Sequence, residues 1–316
     1  MAKEKKQKEQ TVSTVRQAKH GWIWTIFFSI LSILWLSPII LVLMNSFKRK
    51  AYIFRNPFGI SAFKLSDGFD KWSSGIEKAF FGIQNYVNGL KLTEFPKVFA
   101  NSLFITVASV LVIILCTSMC AWYIVRVKNV VTKGMYVLCL FSMIVPFQMV
   151  MFTLSKIANM LKCNNPIGII FVYLGFGAGL AIFMFVGFVK SIPLEIEEAA
   201  IVDGATEMQV LKQVYLPMTK STIATVALFF GISRWNGYFW ARQMISNQNE
   251  HPLQVFIRLR LEQYTDPETM AGWNETYASD SVIYALIVCS IVPILIIYPF
   301  IQKYFVTGIM IGSVKE

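Results

Sequence analysis

The segment of residues 191–217 joins acidic, small and turn-forming side chains in an order suited to binding another protein. Pro193 fits the first turn of a helix, where its missing backbone N–H costs no hydrogen bond. Negative charge near a helix N-terminus is favoured by the helix dipole, and the acidic residues placed there are Glu195, Glu197 and Glu198. Gly204 can adopt a positive φ and so end this first helix.

A second short helix is predicted directly after the first. Thr206 and Gln209 have the spacing of a capping box, which satisfies two backbone N–H groups at a helix start. Pro217 is expected to end this helix. Ala199 and Ala200 keep one face of the first helix small, so the surface of another protein can approach closely. The sequence therefore predicts a helical hairpin with a candidate docking face.

Enzyme chemistry finds no support in the residues. No G-x-x-x-x-G-K-[ST] motif occurs, so the sequence has no phosphate-cradling loop and ATP hydrolysis would need a separate chain. His20 and His251 lack the neighbours of a nucleophilic or metal site, and each is expected to be exposed or interfacial. The cysteines are odd in number and form no C-x-x-C pair; they are Cys116, Cys120, Cys139, Cys163 and Cys289. We expect no catalytic residue, metal or cofactor.

The elements that carry these residues are long apolar helices. Apolar residues make up 55% of the 316 residues and charged residues 15%, against about 25% charged in soluble domains. A helix needs about 20 residues to cross the hydrocarbon of a membrane. Six stretches qualify, at residues 21–47, 98–125, 134–155, 163–189, 221–241 and 281–302. The predicted fold is all-α, with six transmembrane helices in residues 21–316 after a basic tail at 1–20.

Charge does not decide how these helices are oriented. The net charge of +11 lies in the tail and between the apolar stretches, where anionic lipid headgroups explain it better than nucleic acid does. In the six-span arrangement, equal numbers of positive residues lie on the two sides of the membrane. Among the short segments, the positive charges of the tail and of the loop 126–133 favour the cytoplasmic side for these two segments. Lys48–Lys50, directly after the first stretch, favours the opposite orientation.

Two features lie inside the apolar stretches. Gly175 and Gly179 form a G-x-x-x-G pair, which predicts close packing against another helix. Arg234 interrupts the fifth stretch, and a charge facing lipid is costly, so it is expected to face a cavity, a partner group or another subunit. The alternative is that its long side chain reaches the headgroups.

Polar and aromatic residues surround this arginine, and they are Trp235, Asn236, Tyr238 and Trp240. Aromatic faces together with an amide and a guanidinium are suitable sugar contacts. A belt of Trp and Tyr at the membrane interface is the competing explanation of the aromatic residues.

The 191–217 segment resembles the EAA loop of permease subunits in ATP-driven, binding-protein-dependent (ABC) importers. The matching residues are Glu198, Ala199, Ala200, Asp203, Gly204 and Ala205, then Val214, Leu216 and Pro217 after a gap of eight. In that family the loop is cytoplasmic and docks into a groove on the ATPase subunit. The resemblance implies cytoplasmic termini. It also implies an ATPase-coupling role, above all for Glu198 and the two alanines, in the set Glu198, Ala199, Ala200, Asp203, Gly204, Leu216 and Pro217.

Other motifs are similar to the maltose-permease-like class of carbohydrate importers, and they are Phe81–Tyr86, Asn101–Leu103, Trp235-Asn236 and Tyr304–Gly308. Arg234 with Pro252–Gln254 is similar to a subgroup for complex, sometimes acidic, oligosaccharides. The resemblance implies a multi-pass subunit of the bacterial cytoplasmic membrane that imports a sugar or oligosaccharide. It would pair with a second permease, two ATP-binding subunits and an external solute-binding protein. Its substrate pathway would include Arg234, Trp235, Asn236 and Tyr238.

Two other functions stay open at this point. An importer of amino acids or peptides would share the EAA pattern, and uptake measurements would separate it from a sugar importer. A membrane-embedded enzyme or signalling protein would need a catalytic pair in or beside the spans, and the sequence offers none.

Overall fold

The computed structural model describes residues 21–265 and 280–313, and within these ranges all regular elements are helices. The expected tail at 1–20, His20 and the side chains of 304–308 lie outside the description. The helices are α1 (Gly21–Ser46), α2 (Lys50–Arg55), α3 (Phe69–Ala79), α4 (Gln84–Leu92), α5 (Phe95–Arg126), α6 (Val130–Ser142), α7 (Phe147–Met160), α8 (Pro166–Val189), α9 (Leu194–Val202), α10 (Glu207–Met218), α11 (Lys220–Trp235), α12 (Tyr238–Met244), α13 (Leu253–Thr265) and α14 (Asp280–Ser313). The predicted all-α fold is confirmed. The chain divides into two compact units, Met1–Gly82 and Ile83–Glu316.

Four segments are long and apolar enough to be single membrane spans, and they are Gly21–Ser46, Phe95–Arg126, Pro166–Val189 and Ser281–Phe300. Two bent pairs bring the number to six if each pair counts as one span: α6 with α7, at 103°, and α10 with α11, at 71°. The third predicted stretch is thus a broken helix. Its second half begins after Pro146, which has extended backbone, and the residue before a proline disfavours helical geometry.

The first unit is organised around Lys48. This side chain is 3% exposed, and its ammonium donates to Asn45 Oδ1 at 2.9 Å, the Asn56 carbonyl at 3.1 Å and the Gly59 carbonyl. Burial lowers the pKa of Lys48. By charge alone, a lysine directly after the first span argued against a cytoplasmic N-terminus. The structure gives Lys48 a different reason to be there, because its cation cross-links the segment that follows α1.

The core of the second unit lies between α5, α8 and α11. Ile113 and Ala121 of α5 pack with Ala181 and Phe185 of α8, and Phe230 of α11 joins the same cluster. The contact between α5 and α8 is the most extensive helix pairing among the described residues. These three helices therefore form the frame on which the loop between α8 and α11 is mounted.

Of the predicted G-x-x-x-G pair, one glycine packs closely against a neighbouring helix of this chain. An added Cβ at Gly179 would clash with the Cys139 carbonyl of α6, whereas one at Gly175 would meet nothing within 4 Å. Gly177 of α8 is also tightly packed, since a Cβ there would lie 3.0 Å from the Phe230 ring. The prediction is thus confirmed for Gly179, whereas Gly175 faces open space within this chain.

The N-terminal end of α5 holds the segment before α13. Ser102 Oγ accepts the Leu253 N–H at 2.7 Å, and the Asn101 amide donates to the His251 carbonyl at 3.4 Å. His251 is 6% exposed, with Nε2 2.9 Å from the Ile245 carbonyl. The prediction that His251 is exposed or interfacial is therefore wrong, because this segment folds back against α5.

Candidate functional site

The loop between α8 and α11 forms the predicted hairpin of two short helices. α9 starts after its N-cap Pro193 and has Asp203 as its C-cap. Gly204 follows at φ +88°, a left-handed conformation that favours glycine. The Ala205 N–H donates to the Ala200 carbonyl at 2.9 Å and closes the helix end. The backbone of the turn is therefore fixed as the sequence predicts.

The second helix of the loop, α10, begins with the predicted capping box. Thr206 Oγ1 accepts the Gln209 N–H at 3.4 Å, and Gln209 Oε1 accepts the Thr206 N–H at 2.8 Å. The middle of the helix, Val210–Tyr215, has π-helical geometry. This geometry is rare in proteins as a whole, and where it does occur it is often at a functional site. The helix ends at Met218, one residue after Pro217 and thus close to the predicted end.

The outward side of the loop carries most of the residues that the resemblance singled out. Glu198, Ala199, Asp203 and Gly204 are exposed, and Ala200 is half-buried. Val202, between them, is 86% exposed. Leu216 is half-buried beside a small core under α10, while Pro217 is exposed. The structure thus groups five of these residues at α9 and places the other two at the end of α10.

Glu197 lies on the inner side of the same loop and is 4% exposed. Its carboxylate pairs with the Arg126 guanidinium at 2.6 Å and accepts the Trp122 indole N–H at 3.1 Å. Sequence reasoning assigned Glu197 to the helix dipole alone and missed this pair. Arg126, the last residue of α5, was the one available signal, but 71 positions separate it from Glu197.

Arg234, on the last turn of α11, is 8% exposed inside the second unit. Its guanidinium carbon lies 4.1 Å from the Tyr173 ring centroid, 5.5 Å from that of Phe230 and 5.6 Å from that of Trp240. Among the residues that the structure describes, its Nε has no hydrogen-bond partner. Gly177 leaves room for the guanidinium. Aromatic rings, and not headgroups, surround this cation, so the headgroup alternative is wrong.

The other predicted pathway residues do not form one surface with this guanidinium. Trp235 is 6% exposed, and its indole N–H donates to the Ser290 carbonyl at 3.0 Å. It is a core residue that joins α11 to α14, and its assignment to the substrate pathway stays a prediction. Asn236 is exposed, and the half-buried Tyr238 donates its hydroxyl to Glu262 at 3.2 Å.

Trp240 is the ring around the guanidinium with the most accessible surface. It is half-buried and stacks on Phe147, with ring centroids 3.6 Å apart. Phe176 packs against Trp240 in a T-shaped arrangement, with ring centroids 4.9 Å apart. Within residues 21–265 and 280–313, no group of three His, Cys, Asp or Glu side chains is placed to hold a metal ion.

Residues 113–311, which include both the loop and Arg234, match the family described as the binding-protein-dependent transport system inner membrane component. The chain belongs to this family. The permease is 30% identical over 295 residues to the "probable starch degradation products transport system permease protein AmyC" of Thermoanaerobacterium thermosulfurigenes, over 93% of this chain and 97% of the relative. It is 26% identical to the "multiple sugar-binding transport system permease protein MsmG" of Streptococcus mutans, over 95% and 99% of the two chains.

A solved structure gives the same assignment. It is described as a bacterial ABC transporter involved in the import of the acidic polysaccharide alginate, and one of its chains matches this permease with a TM-score of 0.75 at 27% identity. The match covers 92% of this chain and 98% of that one. The predicted family and membrane location are confirmed: this permease is a multi-pass protein of the cytoplasmic membrane and a transport subunit.

Proposed function

We propose that this permease is a membrane-spanning subunit of an ATP-driven importer for a sugar or short oligosaccharide. The observation that carries the proposal is its nearly full-length likeness to permeases named for starch degradation products and multiple sugars. The likeness to a chain of an alginate importer points in the same direction. An importer of amino acids or peptides would have the same fold, but these relatives are not named for such cargo.

Several partners follow from this proposal. The sequence has no phosphate-cradling loop, so a pair of ATP-binding subunits hydrolyses ATP. A second, related permease completes the pathway, and an external solute-binding protein delivers the sugar. Closure of the ATPase pair moves the cytoplasmic 191–217 loop and rocks the spans, so the pathway opens to one side of the membrane at a time.

The ATPase docks on the outward side of α9 in this proposal. Glu198 offers an exposed charge for an ion pair, and the small Ala199 and Ala200 admit close approach. The remaining coupling residues fix the backbone at the two helix ends of the loop, and they are Asp203, Gly204, Leu216 and Pro217. The exposed Val202 adds apolar area to the same surface.

Arg234 acts on the substrate pathway, with Asn236 and Tyr238 nearby on the chain. A guanidinium presents several donors in a fixed fork, which suits sugar hydroxyls or a carboxylate. Tyr173 and Trp240 cover it in this conformation. Contact with a sugar therefore requires α8 and α12 to separate at these rings during the transport cycle.

The docking assignment is tested by Glu198→Lys and Ala200→Trp. We expect both variants to reach the membrane in normal amounts but to lose ATPase association and sugar uptake. Glu77→Lys, which reverses an exposed acidic residue elsewhere, and the minimal change Ala200→Ser are the matched controls. Normal ATPase association and uptake in both test variants would remove the loop as the docking site.

A further inference from the structure

Three residues on one face of α5 contact the loop between α8 and α11. Ser118, Trp122 and Arg126 are spaced four positions apart, so they line the same side of the last turns of the helix. Arg126 and Trp122 donate to the Glu197 carboxylate of α9. The Ser118 carbonyl accepts the Tyr215 hydroxyl of α10 at 3.0 Å. Both helices of the loop are thus attached to what we call the α5 stripe.

The attachment is stiff because the Glu197 carboxylate is bound from two directions. Arg126 Nη2 lies 2.6 Å from Oε1, and its Nε lies 3.0 and 3.1 Å from Oε1 and Oε2. The Trp122 indole approaches Oε2 as well. Charge-assisted, forked hydrogen bonds of this kind fix orientation as well as distance. Tyr215, fully buried, supplies a second fixed point on the other helix of the loop.

Chain connectivity alone would not bring α5 into this arrangement. The loop continues directly from α8 and into α11, whereas Arg126 and Glu197 are 71 positions apart. α5 has 32 residues and therefore a length of about 48 Å. At its far end, Ser102 and Asn101 hold the segment 249–253 by hydrogen bonds of 2.7 and 3.1 Å. One rigid helix thus has a fixed contact at each end.

We propose that the α5 stripe is the link through which movement of the 191–217 loop is transmitted to α5 and, at its far end, to the segment 249–253. This inference rests on the proposed function, because the loop is driven only if an ATPase docks on it. The stripe and its loop partners are positioning residues, which hold the loop at a set angle to α5. Without them, the loop would turn on its covalent connections and the movement would be lost before it reached the pathway.

The test compares Glu197→Ala with Glu195→Ala, which removes an exposed carboxylate two residues away on the same helix. Each variant is purified in the full complex and reconstituted with ATP, the binding protein and the transported sugar. The measured quantity is the number of sugar molecules imported per ATP hydrolysed. We expect Glu197→Ala to hydrolyse ATP but to import at least about tenfold fewer sugar molecules per ATP, and Glu195→Ala to match the wild type.

A purely structural role would lower ATP hydrolysis and uptake in proportion, leaving their ratio unchanged, and this outcome would overturn the proposal. If Glu197→Ala does not assemble, Tyr215→Phe removes one hydroxyl from the link and is expected to lower the ratio at least about twofold. A wild-type ratio in Tyr215→Phe would then overturn the proposal. Failure of the proposed function would look different, because the wild-type complex would import no sugar.

Discussion

Replacing Arg234 separates the energetic role of the buried cation from its role in transport. Arg234→Met keeps a long side chain among the three rings but removes the charge and the donors. Arg234→Ala also removes the side-chain volume. Both variants therefore lack the guanidinium, but only Arg234→Ala also loses packing.

The structure sets the size of these effects. A desolvated cation–π contact such as that with Tyr173, at 4.1 Å, contributes about 2 kcal/mol, and the two more distant rings add about 1 kcal/mol together. Burying the charge costs several kcal/mol, so the net contribution to stability is small. A methionine in its place regains about 1 kcal/mol from sulfur–ring contacts. Arg234→Met should therefore keep the unfolding free energy within about 2 kcal/mol, whereas Arg234→Ala should lose about 2–5 kcal/mol through a cavity.

The assay measures the thermal unfolding temperature of each assembled complex and its sugar uptake. Loss of a charge-assisted hydrogen bond to cargo costs about 1.5–3 kcal/mol, which corresponds to about a tenfold to hundredfold fall in uptake. We expect this fall in Arg234→Met while its stability changes less than that of Arg234→Ala, and a larger fall for an acidic sugar than for a neutral one. Wild-type uptake by Arg234→Met, or equal destabilisation by both substitutions, would refute the reasoning.

Three further predictions concern the buried Lys48 and the packing of α8. Lys48→Met leaves the buried Asn45 side-chain oxygen without this donor, at about 1–3 kcal/mol, and removes the bonds to the half-buried Asn56 and Gly59 carbonyls. Residues 48–82 should therefore become sensitive to protease, while the exposed Lys71→Met stays resistant. Because burial lowers the pKa of Lys48, the unfolded unit holds this proton more tightly, so the stability of the unit should rise with pH in the alkaline range and lose that slope in Lys48→Met. Gly179→Ala should reduce the amount of folded permease in membranes, since its Cβ would meet the α6 backbone, whereas Gly175→Ala should leave it unchanged. Equal protease sensitivity of the two lysine variants, or equal amounts of the two glycine variants, would contradict these assignments.

Local signals in the sequence were sufficient for the 191–217 loop. Gly204 and the Thr206–Gln209 pair each act within one helix turn, and the structure places them as predicted. Pro193 lies at the N-cap, directly before the first turn in which it was predicted. The apolar stretches likewise predict spans because length and hydropathy decide them. Pro146 lies inside the third predicted stretch, and the sequence analysis did not predict that the helix breaks there and that the chain changes direction.

Long-range pairs were not predictable from local pattern. Glu197 and Glu198 are adjacent acidic residues, and only the position of α5 shows that the first is buried and paired while the second is exposed. Trp235 follows Arg234 directly, yet its ring points into the core towards α14. Both cases depend on how the helix is rotated about its own axis. A single sequence does not determine that rotation for a short helix or for the helices of a polytopic membrane protein.

The central claim is that this permease imports a sugar, and it is tested most directly by uptake into vesicles containing the reconstituted complex. ATP is enclosed with the ATPase side, the binding protein is added outside, and labelled oligosaccharides, amino acids and peptides are offered in parallel. We predict accumulation of at least one sugar or oligosaccharide that requires both ATP and the binding protein. ATP-driven accumulation of an amino acid or peptide, with no sugar accumulated, would contradict the account.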